Sequence, residues 1–108
     1  MFDFLKDRKT PPKLPEGTVR RHYRIYGMVQ GVGFRYRAQY AAKSLYLTGW
    51  IRNKEDGSVE MELQGPKDKF PELFAMVQQS DWIHITDMKV HEIDPDPWER
   101  RFSVRDYE

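Results

Sequence analysis

The pair Asp56-Gly57 stands between two runs of strand-forming residues, Leu47-Thr48-Gly49-Trp50-Ile51-Arg52-Asn53 and Ser58-Val59-Glu60-Met61-Glu62-Leu63-Gln64. Asp-Gly in that position is a strong hairpin signal, because the turn needs left-handed backbone that these residues supply at low cost. The second run alternates apolar and polar residues, so one face of its strand meets a core and the other does not. An antiparallel sheet with one covered face follows, and the flanking segments supply the cover.

Upstream of the hairpin, Phe34, Ala38, Ala41, Ala42 and Leu45 recur at helical spacing, with Arg37, Lys43 and Ser44 between them. The period has changed from two to about 3.6, which marks an amphipathic helix. Downstream, Gly65-Pro66 is expected to interrupt the strand, and Phe70, Leu73, Phe74 and Val77 then repeat at i, i+3, i+4 and i+7, with Pro71 tolerable in the first turn. A first strand is expected over residues 22–28, with Tyr23 and Ile25 on one face. A long one is expected over 82–93, with a slip in its alternation near Asp87 that suits a bulge. After Asp94-Pro95-Asp96-Pro97, residues 101–105 read as a short last strand. The order βαββαβ plus an edge strand defines an α+β fold, an antiparallel sheet with two helices on one face.

That order has a consequence for function. The first two strands are parallel, joined by a right-handed helical crossover, and the third returns between them. Their C-terminal ends therefore share one edge of the sheet, about two strand spacings or ~10 Å apart. The loop Met28-Val29-Gln30-Gly31-Val32-Gly33-Phe34-Arg35 follows the first end, and Asn53 stands at the second.

Gly31 and Gly33 let successive N–H groups turn inward as a nest for an anion. The loop then runs into a helix N-terminus, which also favours negative charge, and Arg35 adds a planar fork for two phosphate or carboxylate oxygens. Each feature alone has a plainer reading: G-x-G serves equally as a tight turn, a first-turn arginine as a solvated one, and Asn53 as a turn starter. Their convergence at one edge favours the anion site. Within 28–35 there is no histidine, cysteine or serine to act as nucleophile, and Glu55 and Asp56 belong to a turn where a solvated role is expected. The chemistry left is anion positioning plus a polar amide, which suits an activated electrophile.

Composition narrows the remaining classes. At 108 residues there is room for one domain, residues 22–108, preceded by an arm over 1–21 that carries Pro11, Pro12, Pro15 and Gly17 and six basic residues against three acidic. With a formal net charge of +1, the chain is not a basic nucleic-acid binder. It contains no cysteine, which excludes disulfides and thiolate metal sites, and His22, His84 and His91 show no metal-ligand spacing, so ordinary surface histidines are expected and no metal. No apolar run approaches the ~20 residues of a membrane span, and a cytoplasmic location is expected.

The loop Gly27-Met28-Val29-Gln30-Gly31-Val32-Gly33-Phe34-Arg35, the run Leu47-Thr48-Gly49-Trp50-Ile51-Arg52-Asn53, and Asp56-Gly57-Ser58-Val59 and Gln64-Gly65-Pro66 together resemble the acylphosphatase family, over about residues 23–104. The resemblance implies a ferredoxin-like α/β sandwich that hydrolyses small acyl phosphates to a carboxylate and inorganic phosphate, without cofactor or metal. It implies that Arg35 and the N–H groups of Val29, Gln30, Gly31, Val32, Gly33 and Phe34 bind phosphate, and that Asn53 holds the attacking water. The chain departs from the family's common residues at Ala38, where threonine is frequent, at Gln78-Gln79-Ser80-Asp81, and at the end, Arg105-Asp106-Tyr107-Glu108. A monomer is expected.

Two other readings use the same topology. A catalytically weak binding module would hold an acyl phosphate or another anion in the same pocket, as in the acylphosphatase-like domain of a carbamoyl-transfer maturation protein. An RNA-binding module would need aromatic platforms on the third strand, where the chain offers Ser58-Val59-Glu60-Met61-Glu62. Nucleic acid is therefore not an expected partner.

Overall fold

A computed structural model describes residues 10–106. The strands are β1 (Thr18–Met28), β2 (Thr48–Asn53), β3 (Val59–Pro66), β4 (His84–Ile93) and β5 (Phe102–Val104), and the helices are α1 (Phe34–Ser44) and α2 (Phe70–Val77). They form one sheet in the order β4-β1-β3-β2-β5. β3 lies antiparallel between β1 and β2, opposing Met61 to Tyr23 on one side and to Ile51 on the other. β1 and β2 are thus parallel, and their C-terminal ends share an edge as the topology requires. β5 runs parallel to β2, so the fifth strand makes an otherwise antiparallel sheet mixed.

The core is the layer between sheet and helices. Tyr23, Ile25, Ile51, Val59, Met61 and Leu63 from the sheet meet Phe34, Ala38, Ala41 and Ala42 of α1 and Phe70, Leu73 and Val77 of α2. Each large side chain removed from water contributes about 1.5–3 kcal/mol. The row of alanines on α1 lets the helix lie close to the strands. Gly49 serves the same closeness within the sheet: its φ is 143° and a Cβ there would stand 1.9 Å from the Glu62 carbonyl oxygen.

Several boundaries differ from the sequence reading, each for a physical reason. β1 begins at Thr18, not His22, because Arg20 and His22 face a sheet surface lined by carboxylates, where paired charge replaces apolar alternation. The stretch 18–21 is therefore strand, although it was expected to belong to the arm; the part of that arm before Thr10 lies outside the described residues. Gly65 and Pro66 continue β3 instead of interrupting it, paired with Val19 and Thr18 after β2 has ended, where proline's missing N–H costs no ladder bond. The bulge lies beside Asp87: Tyr26 opposes Asp87 but Gly27 opposes Ile85, which leaves Thr86 as the extra residue. Trp82 and Ile83 precede β4 in a turn closed by Ser80. β4, half-buried at best along its length, guards its open edge with charged residues such as Asp87, Lys89 and Glu92.

α1 ends in an arrangement that usually employs glycine. Leu47 N–H donates to Ala42 O (2.8 Å) and Tyr46 N–H to Lys43 O (3.3 Å), the paired bonds of a Schellman cap, with Tyr46 in the left-handed position at φ 57°. An aromatic residue there costs about 1–2 kcal/mol relative to glycine. Its ring is 90% exposed and adds nothing to the core.

Candidate active site

The loop between β1 and α1 is anchored at both ends by fully buried side chains, Val29 and Phe34, while Gly31 and Gly33 are exposed. Both glycines have positive φ, 74° and 83°, and a Cβ on either would meet nothing within 4 Å. Backbone conformation, not space, requires glycine here. Gly33 is the N-cap of α1, with no side-chain cap and no acidic residue in the first turn. Arg37 N–H makes the first helical bond, to Gly33 O, and among the described residues the N–H groups from Gln30 to Tyr36 donate to no backbone carbonyl. Several donors without a backbone partner thus lie at the positive end of the helix dipole.

The side chain of Gln30 does something else. Its Nε2 donates to Lys54 O (2.7 Å) and to Ser58 O (2.8 Å), the two residues that flank the β2–β3 turn. This clamp ties the loop to the end of β2, where Asn53 sits. Sequence reasoning had assigned Gln30 only through its N–H, since a side chain that bridges two carbonyls leaves no periodic signal.

Asn53 is half-buried, and its Oδ1 is shielded and makes no hydrogen bond to the protein. An unpaired acceptor of this kind costs about 1–3 kcal/mol and marks a position kept for something other than stability. Arg35 is half-buried at the rim, with its guanidinium carbon 5.9 Å from the Tyr36 ring centroid and Nη1 donating a long 3.3 Å bond to Arg105 O. Arg105 N–H in turn donates to Ile51 O (2.8 Å), so the guanidinium is tethered to the same end of β2. The predicted groups therefore converge: the glycine loop through Gln30, Arg35 through Arg105, and Asn53 directly.

The nearby Asp56 carboxylate is engaged. Asp56 accepts hydrogen bonds from the Ser58 hydroxyl and N–H and pairs with Arg24, and these hold its carboxyl below the usual range. Farther along the open face of the sheet, Arg20 forks onto Glu99 (2.8 and 3.1 Å) and donates to Glu62 and Gln64. His22 sits between Glu62 (2.7 Å) and Glu60 (3.2 Å) and stacks on His91 with centroids 5.2 Å apart, so these two histidines are joined in one cluster rather than scattered. The cross-strand register His22 to Glu62 and Arg24 to Glu60 was the signal that could have revealed it. Burial alone would raise Glu60 and Glu62; bonds and charge from Arg52 and Lys54 on the first, and from His22 and Arg20 on the second, hold both below the ordinary range. Among the described residues no group of three or more His, Asp or Glu side chains could hold a metal, and no helix is long and apolar enough to cross a membrane.

The fold is a two-layer α/β sandwich with the glycine loop, Arg35 and Asn53 at one edge. The acylphosphatase family profile matches residues 21–104. An acylphosphatase of Bifidobacterium longum is 41% identical over 92 residues, covering 81% of this chain and 92% of its own. The crystal structure of the Bacillus subtilis acylphosphatase is 34% identical, covers 81% of this chain and 98% of its own, and superposes with a TM-score of 0.72. Full-length HypF shares the fold alone, at 21% identity and a TM-score of 0.74 over 13% of its chain. The chain belongs to the acylphosphatase family.

Proposed function

We propose that this acylphosphatase hydrolyses small acyl phosphates, with Arg35 and the N–H groups of the Val29, Gln30, Gly31, Val32, Gly33 and Phe34 loop holding the phosphoryl group and Asn53 holding the attacking water. The observation that carries the assignment of roles is the Gln30 clamp, which joins the anion loop to the strand end bearing the unpaired Asn53 amide oxygen. In the reaction, water oxygen bonds to phosphorus as the bridging P–O bond to the acyl group breaks. The carboxylate leaves with that electron pair, and the water proton passes to a phosphoryl oxygen. A mixed anhydride has a good leaving group, so stabilising charge on the phosphoryl oxygens and aligning the water are the main demands. Arg35 and the loop donors meet the first; the Asn53 amide meets the second.

A monomer acting in the cytoplasm is part of this proposal, and every proposed group comes from one chain. The test is hydrolysis of benzoyl phosphate followed by ultraviolet absorbance. Turnover far above the uncatalysed rate is expected; binding without turnover would instead indicate an anion-binding module.

A further inference from the structure

The end of β2 opposite Asn53 carries a second cluster of unspent groups. A cavity of about 500 Å³ opens there, between the C-terminus of α1 and the start of β5, and its wall includes Lys43, Tyr46, Thr48, Arg100, Arg101 and Phe102. It lies roughly the length of α1 from the phosphate loop, about 16 Å for eleven residues. Its lining holds three cations and no carboxylate. None of the three cations enters an ion pair among the described residues, and the neighbouring acid Glu99 is taken by Arg20. Thr48 Oγ1 is buried without a partner, the one other such side-chain atom besides Asn53 Oδ1 among the described residues.

Tyr46 adds an independent argument. It holds the left-handed cap position at φ 57°, the only non-glycine residue among those described with positive φ. Glycine would fit the cap better, and the exposed ring gives the core nothing in return. Tyr46 does line this cavity. A strained aromatic residue kept beside three unpaired cations is arranged for a ligand with a flat portion and a negative one.

We infer that this cavity is a second binding site, separate from the phosphate loop, for a small phosphate ester carrying a planar ring. The cations Lys43, Arg100 and Arg101 take the phosphate, and Tyr46 covers the ring. The volume is that of a small-molecule site, which typically spans roughly 300–1,000 Å³.

The test is an NMR titration of the ¹⁵N-labelled full chain with adenosine monophosphate, adenosine and inorganic phosphate, in an Arg35→Ala background that weakens the first site. Adenosine monophosphate is expected to shift the amides of Lys43, Leu47, Thr48 and Arg101 saturably. Adenosine should lose the phosphate contacts and inorganic phosphate the ring contact, so both should bind about tenfold or more weakly. R100Q/R101Q should reduce affinity by at least about tenfold; the fold tolerates it because Gly49 pairs with the Arg101 backbone carbonyl, not its side chain. Tyr46→Gly is the sharper variant, because it should raise the melting temperature while weakening binding several-fold. Shifts confined to residues 29–36, no saturable shift, or unchanged affinity in Tyr46→Gly would each overturn the inference.

Discussion

At the scale of single residues, the proposed site draws on side chains that do not all touch substrate. Gln30 illustrates the distinction, since its amide spans two carbonyls of the neighbouring turn and holds the loop against β2. Gln30→Ala removes both bonds and should cost about 1–3 kcal/mol of stability. It should also lower kcat/KM for benzoyl phosphate at temperatures where the variant remains folded, measured alongside a melting curve. Unchanged kinetics with reduced stability would reduce Gln30 to a structural tie. The unusual backbone of the loop was legible in the sequence, because Gly31 and Gly33 announce positive φ. Gln30's side-chain role was not, because a residue that bonds to main-chain carbonyls of a distant turn carries no partner pattern in sequence.

At the scale of elements, the central hairpin is where local and tertiary requirements meet. Lys54 N–H donates to Ser58 O and Gly57 N–H to Lys54 O, closing the turn whose Asp-Gly pair was its sequence signature. Gly49 lets β2 lie against β3 with its Cα hydrogen where a methyl would strike Glu62 O. Gly49→Ala should therefore destabilise by more than the roughly 1 kcal/mol at which point substitutions centre, lowering the denaturant midpoint without changing its slope. A variant as stable as the parent would show that the sheet can spread to admit a Cβ. Helix faces and the β3 alternation were readable because burial on one side imposes a period. The start of β1 at Thr18 and the continuation of β3 through Pro66 were not. There the strands pair through ionic groups or lack a neighbour, and the apolar period vanishes.

For the whole molecule, the two faces of the sheet are stabilised differently. One is covered by helices; the other carries Arg20, His22, Glu60, Glu62 and Glu99 in partly buried ionic contacts. Because Glu60 and Glu62 are held below their unfolded value of 4.5, their contribution is present above that pH and is lost as pH falls through the folded-state values. The melting temperature should accordingly drop below about pH 4.5, measured by circular dichroism from pH 7 to pH 3. Glu62→Gln should be less stable at neutral pH, because Arg20, only 5% exposed at its side chain, loses a charge partner. It should also show a shallower acid slope; an unchanged slope would place the acid sensitivity elsewhere.

The same architecture sets two groups at the two ends of β2, and Asn53 at one end carries the central functional claim. Its role separates from that of Arg35 in one comparison: steady-state hydrolysis of benzoyl phosphate and competitive inhibition by inorganic phosphate, for the parent, Asn53→Ala and Arg35→Ala. Arg35→Ala should weaken phosphate inhibition and activity together, since a charged contact to the phosphoryl group is lost. Asn53→Ala should lower kcat by about 10²–10³-fold while the phosphate inhibition constant stays within about twofold of the parent. Loss of phosphate inhibition in step with kcat in Asn53→Ala, or full activity without the amide, would contradict a water-positioning Asn53.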